Sequence, residues 1–110
     1  MNAIVTGPDE YSLATAIADA GHDVTRVDIG NRQALETAGI ADAGVYVLTE
    51  PAQATSIPLA REANPGVRIL VYADGSLPDF ARGQADLVLD PALFDPAEVA
   101  AELDTADTPG

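Results

Sequence analysis

The stretch that decides the fold is Asn2-Ala3-Ile4-Val5-Thr6-Gly7-Pro8, followed by Leu13, Ala16, Ile17 and Ala20 and then by Asp23-Val24-Thr25-Arg26-Val27-Asp28-Ile29. Residues 2–6 form a short apolar run that stops at a Gly-Pro pair. Leu13, Ala16, Ile17 and Ala20 recur at i, i+3, i+4 and i+7, which predicts one face of an amphipathic helix. Gly21 follows, and glycine closes a helix in the left-handed conformation without steric cost. Residues 23–29 return to β-branched side chains, with Asp28 near the end. Strand, glycine turn, helix, strand and terminal acid make the first half of a dinucleotide-binding α/β unit.

Further along, Gly30-Asn31 makes a turn. Asn31 is placed to cap a short helix through Ala38 that Gly39 ends, with Leu35, Ala38 and Ile40 pointing inward. Val45-Tyr46-Val47-Leu48 lacks alternation, as a strand covered on both faces does. Residues 49–56 read as a polar turn before a helix reaching Ala63. Pro58 has no N–H and clashes with the turn before it, so that helix either begins near Ser56 with proline in its first turn or is longer and kinked. Asn64-Pro65-Gly66 stops it. Val67 to Ala73 is the clearest strand, residues 74–76 are a turn, residues 78–82 a single helical turn, and residues 86–89 a fifth, short strand. Asp95-Pro96-Ala97-Glu98 reads as a capping box with proline at the first helical position, opening a helix whose Val99 and Leu103 pack inward. The expected organisation is one domain over residues 1–103 and a disordered acidic tail over residues 104–110.

Composition narrows the function classes. With no cysteine, disulfides and thiolate metal sites are excluded. No charge-free apolar run approaches the ~18 residues of a membrane helix and no basic-apolar leader is present, so a cytoplasmic protein is expected. Eighteen acids face five arginines and no lysine, for a net charge of −13. That field repels nucleic acid and anionic membranes. Disorder is the other reading of so much charge, but 47% hydrophobic residues in periodic runs argue against it. Adaptation to concentrated salt accounts for it better, because at molar salt the Debye length falls to ~3 Å and self-repulsion is screened. Unfolding is therefore expected to move to higher temperature as potassium chloride rises from ~0.1 M to molar. A melting temperature flat across that range, read by circular dichroism, contradicts this.

Strands alternating with helices mean a parallel sheet covered on both faces, and right-handed crossovers lead to the order 2-1-3-4-5. The expected fold class is thus α/β, a Rossmann-like three-layer sandwich on a five-stranded parallel sheet. Its ligand crevice lies between the first and third strands at their carboxyl ends, lined by residues 7–12 and 49–55.

Gly21-His22-Asp23-Val24-Thr25, Leu35 to Asp42, Val45 to Thr49, Ala60 to Val71 and Ala85-Asp86-Leu87-Val88 resemble the TrkA-N (RCK-type) domains. These are nucleotide-sensing domains that regulate potassium channels and transporters. The resemblance is to a shortened and degenerate member of halophilic archaeal kind, since the helix and strand that usually follow the second strand are missing. It implies a small regulatory nucleotide-binding module, linked to ion transport. The family's phosphate loop is Gly-x-Gly-x-x-Gly, where this chain has Gly7-Pro8-Asp9-Glu10-Tyr11-Ser12. Gly7 keeps the tight turn, Asp9 stands where the pyrophosphate would approach the backbone, and Ser12 replaces the third glycine. Asp9 and Glu10 read rather as caps of the helix that follows, where carboxylates are favourable, occupying the positive pole a dinucleotide would need. Asp28 has the spacing of a ribose-binding acid or is an ordinary acid at a strand end. Arg32 is placed to meet a phosphate or to pair with Glu36.

The candidate cofactor-binding residues are therefore Gly7, Asp9, Ser12, Asp28, Thr49 and Gln53, with no catalytic residue and no metal ligand expected. The cofactor's identity is left open: an adenine nucleotide is admitted, and NAD is disfavoured by the acidic loop. Expected partners are that nucleotide and either a second copy or a transport protein, with nucleic acid and direct membrane insertion excluded. The alternative is a non-catalytic interaction domain that kept the fold and lost the ligand. A Walker loop is impossible without lysine, and no nucleophile elbow is present. A response-regulator receiver shares the strand order. Its phosphorylated aspartate is replaced by Thr49 and its lysine at the fifth strand is missing, so that class is set aside.

Overall fold

In a parallel sheet buried on both sides, successive residues of a strand point into different cores. The computed structural model describes residues 2–73 and 77–107, of which residues 104–107 by backbone alone. Its strands are β1 (Asn2–Thr6), β2 (Asp23–Val27), β3 (Val45–Leu48), β4 (Arg68–Tyr72) and β5 (Leu87–Leu89). All pair in parallel, in the order β2-β1-β3-β4-β5. The helices are α1 (Leu13–Asp19), α2 (Arg32–Ala38), α3 (Ser56–Ala63), α4 (Asp79–Arg82) and α5 (Pro96–Asp107), with short 3-10 turns at Ile40–Asp42 and Pro51–Gln53. The α/β sandwich expected from the sequence is the fold observed.

Alternation builds two cores. Ile4, Tyr46, Leu48, Ile69 and Val71 pack against Leu35, Ile57, Ala60 and Ala81, from α2, α3 and α4. Ala3, Val5, Val45, Val47, Leu70 and Tyr72 face the other way, onto α1 and α5 through Leu13, Ile17, Val99 and Leu103.

Local chemistry sets the helix ends. Asn31 Oδ1 accepts from the Ala34 N–H at 2.8 Å, so Asn31 caps α2. Gly21 and Gly39 follow α1 and α2 with φ of +98° and +90°. Helix α3 begins at Ser56, which places Pro58 in its first turn, where the missing N–H costs nothing. The buried stripe of α1 is narrower than the periodicity suggests: Leu13, Ala14 and Ile17 are buried, but Ala20 lies past the helix end and is exposed. Strand β2 ends at Val27, leaving Ile29 outside it and 65% exposed.

At α5 the Asp95 Oδ1 accepts from the Glu98 N–H at 2.9 Å. Asp95→Ala is therefore expected to cost ~1 kcal/mol through loss of the N-cap acceptor. Unchanged stability in urea denaturation refutes that role. The helix continues to Asp107, so residues 104–107, assigned from the sequence to a disordered tail, have helical backbone. Residues 108–110 and the turn expected at 74–76 lie outside the described residues.

The amino-terminal edge of the sheet is tied by two side chains. Arg61 donates to the carbonyls of Pro65, Val67 and Gln84 and to Asp86 Oδ2, which also accepts from the Ile69 N–H. Asn64 donates to the carbonyls of Ile40 and Ala43 and accepts from the Gly66 N–H. Both sit at the opposite end of the sheet from the crevice. Among the described residues no helix is long and apolar enough to cross a membrane.

Candidate functional site

The strand order reverses between β1 and β3, and their carboxyl ends frame a cavity of about 160 Å³. Gly7 leaves β1 with φ +105°, a conformation open to glycine and strained for other residues. A Cβ there would lie 2.6 Å from Thr49 Oγ1, 3.0 Å from Glu50 Cβ and 3.2 Å from the Glu50 nitrogen. The Thr49 hydroxyl points back into this turn, 3.2 Å from the Thr6 carbonyl and 2.5 Å from the Pro8 carbonyl. Thr49 thus closes the β1 turn onto β3.

Asp9 caps α1. Its Oδ1 accepts from the Ala14 N–H at 3.0 Å, and its Oδ2 lies 3.9 Å from Arg26 Nη1. Arg26 also donates to the Gly7 carbonyl at 3.0 Å, so it pins the turn from β2. Ser12 is in the left-handed conformation, φ +59°, and makes no side-chain cap. Tyr11 and Tyr72 meet edge to face, 5.9 Å between ring centres, along the cavity wall. Tyr72 donates to the Phe94 carbonyl at 2.6 Å. Burial first, then the negative field of Asp95, Tyr11, Glu98 and Asp90, holds its phenol above the usual range. Glu10 and Glu50 join Asp9 on the lining, no basic residue does among the described residues, and the cavity is therefore electronegative.

The six candidate residues do not converge. Asp9 and Thr49 line the cavity and Gly7 forms its neck, whereas Ser12 is outside the lining. Asp28 lies in a groove between β2 and α2. Gln53 lines a third hollow beside Ile29 and Leu59. There the Gln53 carboxamide accepts from the Gly30 N–H at 2.8 Å and donates to the Asp28 carbonyl at 2.9 Å, clamping the chain after β2. Arg32 reaches Glu62 at 3.4 Å, not the Glu36 expected from helical spacing.

One constellation escaped the sequence reading. The Tyr46 hydroxyl lies 2.8 Å from both Thr6 Oγ1 and Ser56 Oγ, all three side chains buried. Burial raises the Tyr46 phenol, against the smaller opposing effect of the Ser56 and Thr6 hydrogen bonds. Three residues from three separate elements carry no local signature. The only hint was polar residues at core positions of β1 and β3.

A five-stranded sheet in this order, with α1 and α5 on one face and α2 to α4 on the other, defines a flavodoxin-like sandwich of the receiver type. Residues 3–103 match the family of unknown function DUF7126, and the chain belongs to that family. Among curated proteins none matches. The structure is similar to an atypical orphan response regulator described as phosphorylation-independent, with a TM-score of 0.72 and 11% identity over 96% of this chain and 93% of that one. It is similar to a pilus assembly-related protein of Burkholderia pseudomallei, with a TM-score of 0.68 and 20% identity over 96% and 88% of the two chains. A response regulator of the same species, solved with a phosphorylated aspartic acid, calcium and citrate, gives 0.63 and 21% over 97% and 75%. At these identities the likeness speaks for the fold.

The TrkA-N (RCK-type) reading is thereby corrected, and with it the nucleotide-sensing function linked to ion transport. The structural relatives include response regulators, the class set aside on sequence, and a pilus assembly-related protein. The physical reason is visible in the segments that carried the resemblance. Gly21 and Gly39 end helices, Leu35 and Ile40 fill the core, and Arg61 and Asn64 tie the sheet edge. They are what this α/β architecture needs at those places, and of the resembling segments only Thr49 lines the crevice among the described residues.

Proposed function

We propose that this chain is a regulatory domain of receiver fold that acts through protein contact and does not take a phosphoryl group. The observation that carries this reading is the end of β3. Thr49 stands there with its hydroxyl held between the carbonyls of Thr6 and Pro8, where an acceptor carboxylate would be needed. An acyl phosphate would also need positive charge around its oxygens. Among the described residues the lining offers carboxylates and no basic side chain. A divalent cation does not fit either: Asp9 is committed to the α1 cap, and among the described residues no three Asp, Glu or His side chains come together to hold one. The likeness to a phosphorylation-independent response regulator supports the same reading.

The test is incubation with acetyl phosphate and magnesium, followed by intact-mass analysis. The expected result is no phosphoryl adduct and unmoved backbone amide shifts at Gly7, Asp9, Glu10, Tyr11, Ser12, Thr49 and Glu50. A stoichiometric adduct mapped to Asp9, Glu10 or Glu50, and abolished by the matching amide variant, overturns the proposal.

A further inference from the structure

The sheet ends at β5, which pairs with β4 on one side only. Leu87, Leu89, Phe94 and Val99 floor a hollow of about 280 Å³ between β5 and α5, and Glu98 and Glu102 stand on its wall. Leu93, next to Phe94 in the chain, is 73% exposed, and Val88 of β5 and Phe80 of α4 are 47% and 50% exposed. Large apolar side chains left exposed together mark an interaction surface. Glu98 and Glu102 are one helical turn apart, ~6 Å along the axis of α5. The hollow therefore offers an apolar floor and two negative charges at fixed spacing.

Charge decides the occupant. A second copy brings another −13 and no lysine. Of its five arginines, Arg26, Arg32, Arg61 and Arg82 are already bonded within the chain, to the Gly7 carbonyl, Glu62, Asp86 and the Leu77 carbonyl respectively, and Arg68 Nη1 is buried. The same net charge repels nucleic acid and anionic membranes. We propose that the β5–α5 hollow docks a basic amphipathic segment of another protein. One large apolar side chain of that segment fills the hollow, and two lysines or arginines one turn apart meet Glu98 and Glu102. This deepens the regulatory reading and rests on it, but its test involves no phosphoryl chemistry.

The probe is a capped helical peptide of leucine, alanine and lysine, with lysines flanking a leucine stripe, titrated into the whole chain at one fixed potassium chloride concentration. The expected result is backbone amide shifts confined to residues 87–89, 93–94 and 98–102. Glu98→Gln with Glu102→Gln should weaken binding by ~5-fold or more, the effect of two exposed ion pairs. Asp23→Asn with Glu36→Gln, which removes the same charge from the other end of the sheet, should leave affinity unchanged. The proposal is overturned by equal weakening in both double variants, by shifts spread over the acidic surface, by no shifts, or by equal affinity for a peptide with glutamine in place of lysine. Concentration-dependent shifts at residues 87–89 without peptide would make a second copy the occupant and overturn it as well.

Discussion

Gly7→Ala is expected to destabilise the fold by about 3 kcal/mol, from two independent costs. The first is backbone strain: φ is +105°, and holding an L side chain in such a region costs ~1–3 kcal/mol. The second is overlap, since the new Cβ falls 2.6 Å from Thr49 Oγ1 and 3.2 Å from the Glu50 nitrogen. Thr49 can rotate away, but only by giving up its contacts with the carbonyls of Thr6 and Pro8. The Glu50 nitrogen is backbone and moves only with the end of β3. Gly21→Ala is the control, because Gly21 has a similar φ of +98° and nothing within 4 Å of its Cβ position. It should cost ~1–2 kcal/mol, the strain alone. Urea denaturation of both variants gives the comparison. Equal costs would mean that the close approach of β1 and β3 contributes nothing, and an unaffected Gly7→Ala would remove the strained turn altogether.

That result bears on what the sequence could disclose. Gly7 was legible as a tight turn, but the reason for it was misassigned to a phosphate loop. The thing approaching its backbone is Thr49, just past the end of β3 and 42 residues further along the chain. The strands were legible because Ile-Val and Val-Tyr-Val-Leu runs have no other stable home than a doubly covered sheet. The caps at Asn31 and Asp95 were legible because donor and acceptor lie three residues apart. The left-handed backbone of Ser12 was not, since the cap of α1 comes from Asp9, which reaches past Ser12 to the Ala14 N–H. Gln53 looked like a ligand contact because a polar side chain in a crevice loop has no local partner. Its partners, Gly30 and Asp28, arrive only when β2 is in place. The receiver likeness was set aside on sequence for missing side chains. Those side chains carry chemistry, whereas the architecture is written in the core and the turns.

Gly30→Ala should cost about 3 kcal/mol through a different route, overpacking of the buried hydroxyl cluster. A Cβ on Gly30 would sit 2.8 Å from the Tyr46 hydroxyl, 2.8 Å from Ser56 Cβ and 3.1 Å from Thr6 Cγ2. Each of those atoms is fixed by the others, because the Tyr46 hydroxyl, having one proton, donates to one of its two neighbours and accepts from the other. Displacing Gly30 outward instead would stretch its hydrogen bond to Gln53. Tyr46→Phe alone should cost ~1–2 kcal/mol, since it leaves the Thr6 and Ser56 hydroxyls buried with one partner fewer. In the double variant the missing phenol oxygen makes room for the alanine methyl. The combined cost should therefore fall short of the sum by ~1 kcal/mol, well outside the ~0.5 kcal/mol scatter of independent sites. Relief is only partial, because the Ser56 and Thr6 contacts of the methyl remain. Additive costs in the four-member cycle, read by urea denaturation, would mean that Gly30 and the hydroxyl cluster do not touch as described. A double variant as stable as Tyr46→Phe alone would mean that the phenol oxygen was the sole obstacle, and that α3 yields to the new methyl at Ser56.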